Sequence, residues 1–220
     1  MNCEPINSDH DFGDEECYRT LRRIMVETQI IQRGITNPSI ITAMINVPRH
    51  LFVPDVHKQN AYSDRPLPLS HEQTISQPYI SALMLELANL DRDQKVLELG
   101  TGSGYQAALL ANIVTELYSV ELLESLYNSA KILLAKMKYN NIKMKLGDGK
   151  LGWEENAPYD VIIVSAAPKS IPKELKNQIS IGGRIIIPIG SAKQKLLRIT
   201  KKRNGFDIEK CGMVSFVPLV

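Results

Sequence analysis

Apolar residues near the start of the chain recur at three- and four-residue intervals. Leu21, Ile24, Met25 and Ile31, with Thr28 in step, and then Ile40, Ile41, Met44 and Ile45 predict helices over 15–34 and 38–46. Asn37-Pro38 marks the start of the second helix and Val47-Pro48 its end. From Pro48 to Gln77 the pattern becomes irregular, with prolines at 48, 54, 66 and 68. A loop of that length inside a compact domain is more often functional than accidental. After Pro78 a helix to about Asn89 buries Ile80, Leu83, Met84 and Leu87. Short apolar runs then alternate with helical ones. Strands are expected near 95–100, 116–121, 142–147, 159–166 and 184–189, and helices near 104–114, 123–138 and 172–180. Gly182-Gly183 punctuates the last helix-to-strand link, and 195–220 reads as two strands around Arg203-Asn204-Gly205. Alternation of this kind implies parallel β-α-β units with right-handed crossovers. The pattern describes one doubly wound α/β domain with an N-terminal helical and loop addition.

The first of those strands ends in the most informative stretch. Val96-Leu97-Glu98-Leu99 runs into Gly100-Thr101-Gly102-Ser103-Gly104-Tyr105, a tight glycine turn that opens a helix. Glycines there let a ligand approach the backbone, and ligands of open α/β sheets bind outside the carboxyl ends of strands. A dinucleotide turn reads G-x-G-x-x-G/A. Here Tyr105 stands where the small third residue should be, and the third glycine comes one position early. No Lys-Ser or Lys-Thr follows, which excludes a phosphate-cradling P-loop. Glu98, Glu121 and Asp148 flank the turn, and carboxylates repel a pyrophosphate. Ribose hydroxyls and a positive charge suit them better, so S-adenosylmethionine fits. A dinucleotide, or a helix-capping glycine cluster with no ligand, is the alternative left open by the residues.

Composition narrows the class only slightly. A 220-residue chain with 44% hydrophobic residues fits one α/β domain with a sizeable core. The formal net charge of +2 gives no mandate for nucleic acid or membrane, but it is uneven. Residues 1–16 hold Glu4, Asp9, Asp11, Asp14, Glu15 and Glu16 and no Lys or Arg, so they carry −6 and the remainder +8. They read as a solvated, partly disordered tail, not a signal peptide. No apolar run is long enough to span a membrane. Cys3, Cys17 and Cys211, like His10, His50, His57 and His71, show no ligand spacing, so no metal is expected and the simple inference is a reduced compartment.

Several segments together resemble the protein-L-isoaspartate O-methyltransferase family. They are Val47-Pro48-Arg49-His50-Leu51-Phe52-Val53-Pro54, Ala61-Tyr62, Pro66-Leu67-Pro68-Leu69, and Gln73-Thr74-Ile75-Ser76-Gln77-Pro78. The run from Glu98 to Ala107, Gly147-Asp148-Gly149, Ala166-Ala167-Pro168, Gly182-Gly183-Arg184 and Ile187-Pro188 continue the match from about Leu21 to the C-terminus. The glycine turn is shared by all class I methyltransferases, whereas the Gln-Thr-Ile-Ser-Gln-Pro run is far more specific. The resemblance implies a mostly parallel, seven-stranded, Rossmann-like methyltransferase sheet. It implies one domain over 17–220, with helices and substrate loop in 17–90, a cofactor core in 91–190 and C-terminal strands in 191–220. It also implies S-adenosylmethionine as cofactor, held by Thr74, Ile75, Ser76, Glu98, Gly100, Gly102, Gly104, Glu121, Asp148 and Gly149. The three turn glycines would lie against the methionine part and ribose, Glu121 would accept from the ribose hydroxyls, and Asp148 with Gly149 would sit beside the adenine. On its own Asp148-Gly149 is also an ordinary turn pair.

The implied reaction moves a methyl group from the sulfonium to the free α-carboxylate of an L-isoaspartyl residue. A carboxylate with a pKa of about 4 is already ionised at neutral pH, so no general base is needed. Alignment is what the protein must supply, and it can remove roughly 7–11 kcal/mol of barrier. Ser76 is the candidate catalytic group, donating to one carboxylate oxygen and leaving the other to attack. From its place beside Pro78 it could equally cap the next helix. Val214, Ser215 and Phe216 resemble the segment that borders the peptide substrate, where an extended chain could pair. Expected partners are isoaspartyl peptides and proteins, with no nucleic acid or membrane, for a monomeric, cytoplasmic enzyme.

Two departures bear on peptide preference. Ser70-His71-Glu72 stands where many relatives are glycine-rich, and Ser215 where many bacterial ones carry Arg. Other readings are a nucleic-acid methyltransferase, a non-catalytic cofactor-binding scaffold and a dinucleotide oxidoreductase. Ser165-Ala166-Ala167-Pro168 lacks the Asn and aromatic of an amine methylator. The basic stretch of Lys193, Lys195, Arg198, Lys201, Lys202 and Arg203 is spread around a hairpin.

Overall fold

The computed structural model describes residues 11–219. The chain begins with α1 (Asp11–Met25), which widens into a π turn at Val26–Ile30 and tightens into a 3₁₀ turn at Ile31–Arg33 before Gly34. Helix α2 (Pro38–Asn46) follows, with the Asn37 side chain accepting from Ser39 N as its cap. The proline-rich stretch forms 3₁₀ turns and a minimal hairpin, β1 (Leu67–Pro68) against β2 (Thr74–Ile75), ahead of α3 (Pro78–Ala88). Then come β3 (Lys95–Leu99), α4 (Tyr105–Ala111), β4 (Glu116–Glu121), α5 (Glu124–Lys136), β5 (Ile142–Leu146) and β6 (Tyr159–Val164). Helix α6 (Lys173–Gln178), β7 (Ile179–Ile189), β8 (Gln194–Lys202) and β9 (Gly205–Val214) complete the sheet.

The seven-stranded sheet has the order β5-β4-β3-β6-β7-β8-β9. Its first five members are parallel, and β8 and β9 are antiparallel. From β3 the chain moves through β4 to β5, then returns to the other side of β3 at β6. This reversal opens a crevice beyond the carboxyl end of β3. Period-two alternation divides the core. Val96, Leu117, Val161 and Ile163 pack under α2, α3 and α4, while Leu97, Leu99, Tyr118 and Ile162 pack towards Leu175 of α6 and Trp153. Strands buried on both faces read as nearly unbroken apolar runs, which is why they are visible in the sequence. Each fully buried Leu or Ile stabilises the fold by about 1.5–3 kcal/mol.

Three expectations need correcting. Residues 11–16 belong to α1, not to a disordered tail; residues 1–10 lie outside the described part. Acidic side chains suit a helix N-terminal region, and here Glu16 pairs with Arg19 at 2.7 Å while Glu15 lies 3.5 Å from His50. Gly182-Gly183 does not separate α6 from the strand. It sits within β7, at the register shift against β6. The bulge tolerates Gly183 only without a side chain, since a Cβ would come 2.9 Å from Asp160 O. Finally, the chain beyond β9 is not strand to its end. It crosses back over the sheet, where Ala167 N donates to Val217 O at 2.8 Å and Leu219 N to Ala167 O at 3.0 Å.

Candidate active site

A cleft lies at the switch point. Its floor is the β3–α4 turn, from Gly100 to Ser103; Glu121, Leu122 and Leu123 form one wall. Gln73 to Ser76 arch over it from the β1–β2 hairpin, and Ser165, Ala166 and Val217 to Leu219 close the far side. Gly104 has φ 87° and is the residue before α4; a Cβ there would meet Leu134 Cδ1 at 3.3 Å and Ala130 Cβ at 3.4 Å. The glycine thus sets the turn and lets α4 pack on α5. Gly149 lies between Leu99 and Leu219, whose nearest atoms would be 3.4 and 3.7 Å from an added Cβ.

Glu121 is the last residue of β4. Its Oε2 accepts from Gly102 N at 2.7 Å and its Oε1 from Leu123 N at 3.0 Å. Both oxygens are fixed by backbone, and the carboxylate has acceptor sites left for a ligand. Glu98 has a different situation. It is fully buried below the turn, with Ser119 Oγ donating to its Oε2 at 2.5 Å and Thr101 Oγ1 2.6 Å from the same hydroxyl. Oε1 has no partner. Burial pushes this carboxyl up to about 8, so it is mostly protonated at neutral pH. The Ser119–Glu98 hydrogen bond ties β4 to β3 beneath the turn.

Ser76 lines the cleft. The N-cap of α3 is Gln77 and no side chain caps that helix, so the capping alternative for Ser76 does not hold. Its carbonyl is held by the buried Arg49, Nη2 to O 2.7 Å. Ahead of it, the hairpin tip carries left-handed His71 and Glu72, with φ 55° and 56°. His71 Nε2 and Ser125 Oγ, 2.8 Å apart, join this tip to the first turn of α5.

The other sequence candidates divide. Thr74, Ile75, Ser76, Gly100, Gly102, Glu121 and Gly149 line the cleft; Glu98 and Gly104 support it from behind. Asp148 Oδ1 accepts from Lys150 N at 2.8 Å and caps a 3₁₀ turn, so only Gly149 of that pair reaches the cleft. Val214, Ser215 and Phe216 do not line it, and the next three residues do. The cause is Gln194, which accepts from Phe216 N at 2.6 Å and donates to Phe216 O at 2.9 Å. That two-way clamp turns the chain inward after Phe216. Leu122 and Leu123, just after the strand that ends in Glu121, and Ser165 and Ala166, at the end of the strand expected over 159–166, also line the cleft, although none is among the site residues that the sequence points to.

A doubly wound parallel sheet with an acid-flanked cleft at its switch point, built around a glycine turn that lacks a phosphate-binding Lys, defines a Rossmann-like protein of the nucleoside-cofactor methyltransferase class. The family described as protein-L-isoaspartate(D-aspartate) O-methyltransferase matches residues 21–220. The chain belongs to that family. It is 48% identical over 199 residues to a protein-L-isoaspartate O-methyltransferase of Picosynechococcus sp., with 90% of each chain covered. A solved protein-L-isoaspartate O-methyltransferase superposes with a TM-score of 0.80 at 28% identity, covering 91% of this chain and 65% of that one. A beta-aspartate methyltransferase structure from Plasmodium falciparum, in complex with S-adenosyl-L-homocysteine, gives 0.78 at 27% identity, covering 90% and 98%.

Proposed function

We propose that this protein transfers the methyl group of S-adenosylmethionine to the α-carboxylate of L-isoaspartyl residues, the first step in repairing damaged peptides and proteins. The observation that carries the reading is the cleft itself, where Ser76 and the ribose-type acceptor Glu121 face one space across the Gly100–Gly102 turn. Family membership supports the substrate class. In this reading Gly100 and Gly102 lie along the methionine and ribose parts of the cofactor. Glu121 accepts from the ribose hydroxyls, Thr74 and Ile75 cover the sulfonium side, and Gly149 with Leu122 borders the adenine. Glu98 and Gly104 shape the turn, while Asp148 acts through the turn that carries Gly149.

Ser76 Oγ donates to one oxygen of the acceptor carboxylate, and the other oxygen attacks the methyl carbon in line with the departing sulfur. The sulfonium becomes a neutral thioether and the carboxylate a neutral ester, so two opposite charges vanish together. A desolvated cleft favours that step, because burial disfavours the charged reactants more than the neutral products. The peptide passes Val217, Pro218 and Leu219, with Val214, Ser215 and Phe216 supporting that segment.

Residues 17–220 act as one methyltransferase domain, and a monomer in the cytoplasm suffices for the chemistry. Peptide is preferred to nucleic acid because the basic stretch of β8 is partly engaged. Lys201 Nζ donates to Lys176 O at 3.2 Å and Ile179 O at 2.7 Å, and Arg198 lies 3.7 Å from Glu209. The test is competition for labelled methyl among an isoaspartyl peptide, RNA and small free carboxylates at about 0.15 M salt. Label in the isoaspartyl peptide supports the reading; label confined to RNA or small acids overturns it.

A further inference from the structure

Arg49 is among the largest completely buried side chains of the described residues, with 0% exposure. A guanidinium in that position ordinarily has a carboxylate partner, yet Arg49 has no ion pair among the described residues. The titratable groups acting on it are the phenols Tyr105 and Tyr62. Instead it joins three segments of the site. Nε donates to Ala61 O at 2.7 Å, Nη2 donates to Ser76 O at 2.7 Å, and the guanidinium carbon lies 4.7 Å from the centroid of the Tyr105 ring. Ser76 and Tyr105 both line the cleft. Nη1 has no hydrogen-bond partner among the described residues.

The local frame around Arg49 is stiff. It follows Pro48 in a 3₁₀ turn at Arg49–Phe52, and the neighbouring His50 Nδ1 is 2.8 Å from Tyr62 Oη. Burial, with Arg22 and Lys58 nearby, lowers His50 to about 4, so this neighbour is neutral and adds no charge. Ser76 lies between β2, which pairs with β1, and α3, which has no side-chain cap; beside it Gln77 Nε2 donates to Asp64 O at 3.1 Å, while Arg49 holds the Ser76 carbonyl itself.

We propose that Arg49 is a positioning residue for the acceptor carboxylate. It pins the Ser76 carbonyl so that the hydroxyl stays aimed into the cleft, and its unpaired charge gives that wall a positive field one peptide unit behind the surface. This inference rests on the proposed methyl transfer to an isoaspartyl carboxylate. Burying an unpaired cation costs stability, and a site that must draw a carboxylate out of water offsets that cost.

The test is a double-mutant cycle of Arg49→Lys and Ser76→Ala, read as kcat and peptide KM, with S-adenosylhomocysteine affinity measured on each protein. Lys keeps the charge but cannot reach both carbonyls with a rigid fork. Arg49→Lys is expected to lower kcat about tenfold, the effect of losing one charge-assisted hydrogen bond, with peptide KM and S-adenosylhomocysteine affinity each changed less than about threefold. In the Ser76→Ala background the same change is expected to have less than half that effect on a logarithmic scale. Arg49→Met, which also removes the charge, is expected to raise peptide KM in addition. Additive effects, or equal losses of kcat and cofactor affinity in Arg49→Lys, would overturn the inference. A wild type that methylates no isoaspartyl peptide would instead overturn the reaction assignment.

Discussion

Replacing Glu121 with Gln tests the cofactor wall with almost no change in shape. The carboxylate accepts from Gly102 N and Leu123 N through separate oxygens. An amide has one acceptor oxygen, so it can satisfy either backbone N–H, and its NH₂ then confronts the other. Hydrogen bonds to charged groups are worth about 1.5–3 kcal/mol. Losing one of these contacts, along with a charged acceptor for ribose hydroxyls, is expected to cost about 2 kcal/mol of cofactor binding, or about 30-fold in Kd. The assay is thermal unfolding with and without S-adenosylhomocysteine, at a concentration about 100 times the wild-type Kd. Ligand linkage stabilises the wild type by about 2.7 kcal/mol there. For a chain of this size that raises Tm by about 5–11 °C. The variant at the same ligand concentration, only about three times its own Kd, gains about 0.9 kcal/mol, or about 2–4 °C. Equal ligand-induced shifts in the two proteins would refute the role given to Glu121.

Other perturbations probe different parts of the site. Ser76→Ala is expected to lower kcat by about 10- to 100-fold, the cost of a hydrogen bond to a charged group, while S-adenosylhomocysteine affinity, measured by calorimetry, stays within about twofold. Glu98 binds its proton more tightly folded, at about 8, than its ordinary value of 4.5, so its contribution to stability is full below about 4.5 and declines up to about 8. Glu98→Gln is therefore expected to gain on the wild type between pH 5 and pH 8 in denaturant titrations, and a difference independent of pH would contradict the buried, protonated state. His71→Ala and Ser125→Ala, which remove the contact between hairpin tip and α5, are expected to speed S-adenosylhomocysteine release several-fold in stopped-flow exchange, and to do so non-additively when combined. Unchanged release rates would show that the tip does not retain the ligand.

The strands and the glycine turn were legible because their signals are local. A strand buried on both faces is mostly apolar, and a turn with left-handed residues at Gly100, Gly102 and Gly104 favours glycine. Glu121 was legible because it ends a strand next to that turn. What escaped the sequence depends on contacts between distant residues. The inward course of Val217 to Leu219 is set by Gln194, 22 residues before Phe216. Arg49 and Ser76 are 27 residues apart, and nothing in either segment marks their contact. The acidic composition of residues 11–16 suggested a solvated tail, but composition does not show that Glu16 meets Arg19 along a helix. Gly182-Gly183 stands out in the sequence, yet a bulge and a loop favour the same residue type.

The central claim is most directly tested by methyl transfer from labelled S-adenosylmethionine to two short peptides, identical except that one has an isoaspartyl linkage and the other a normal aspartyl linkage. The account predicts label in the isoaspartyl peptide alone, released by mild base as expected for a methyl ester. Equal labelling of both peptides, or of neither while S-adenosylhomocysteine still binds, would contradict it.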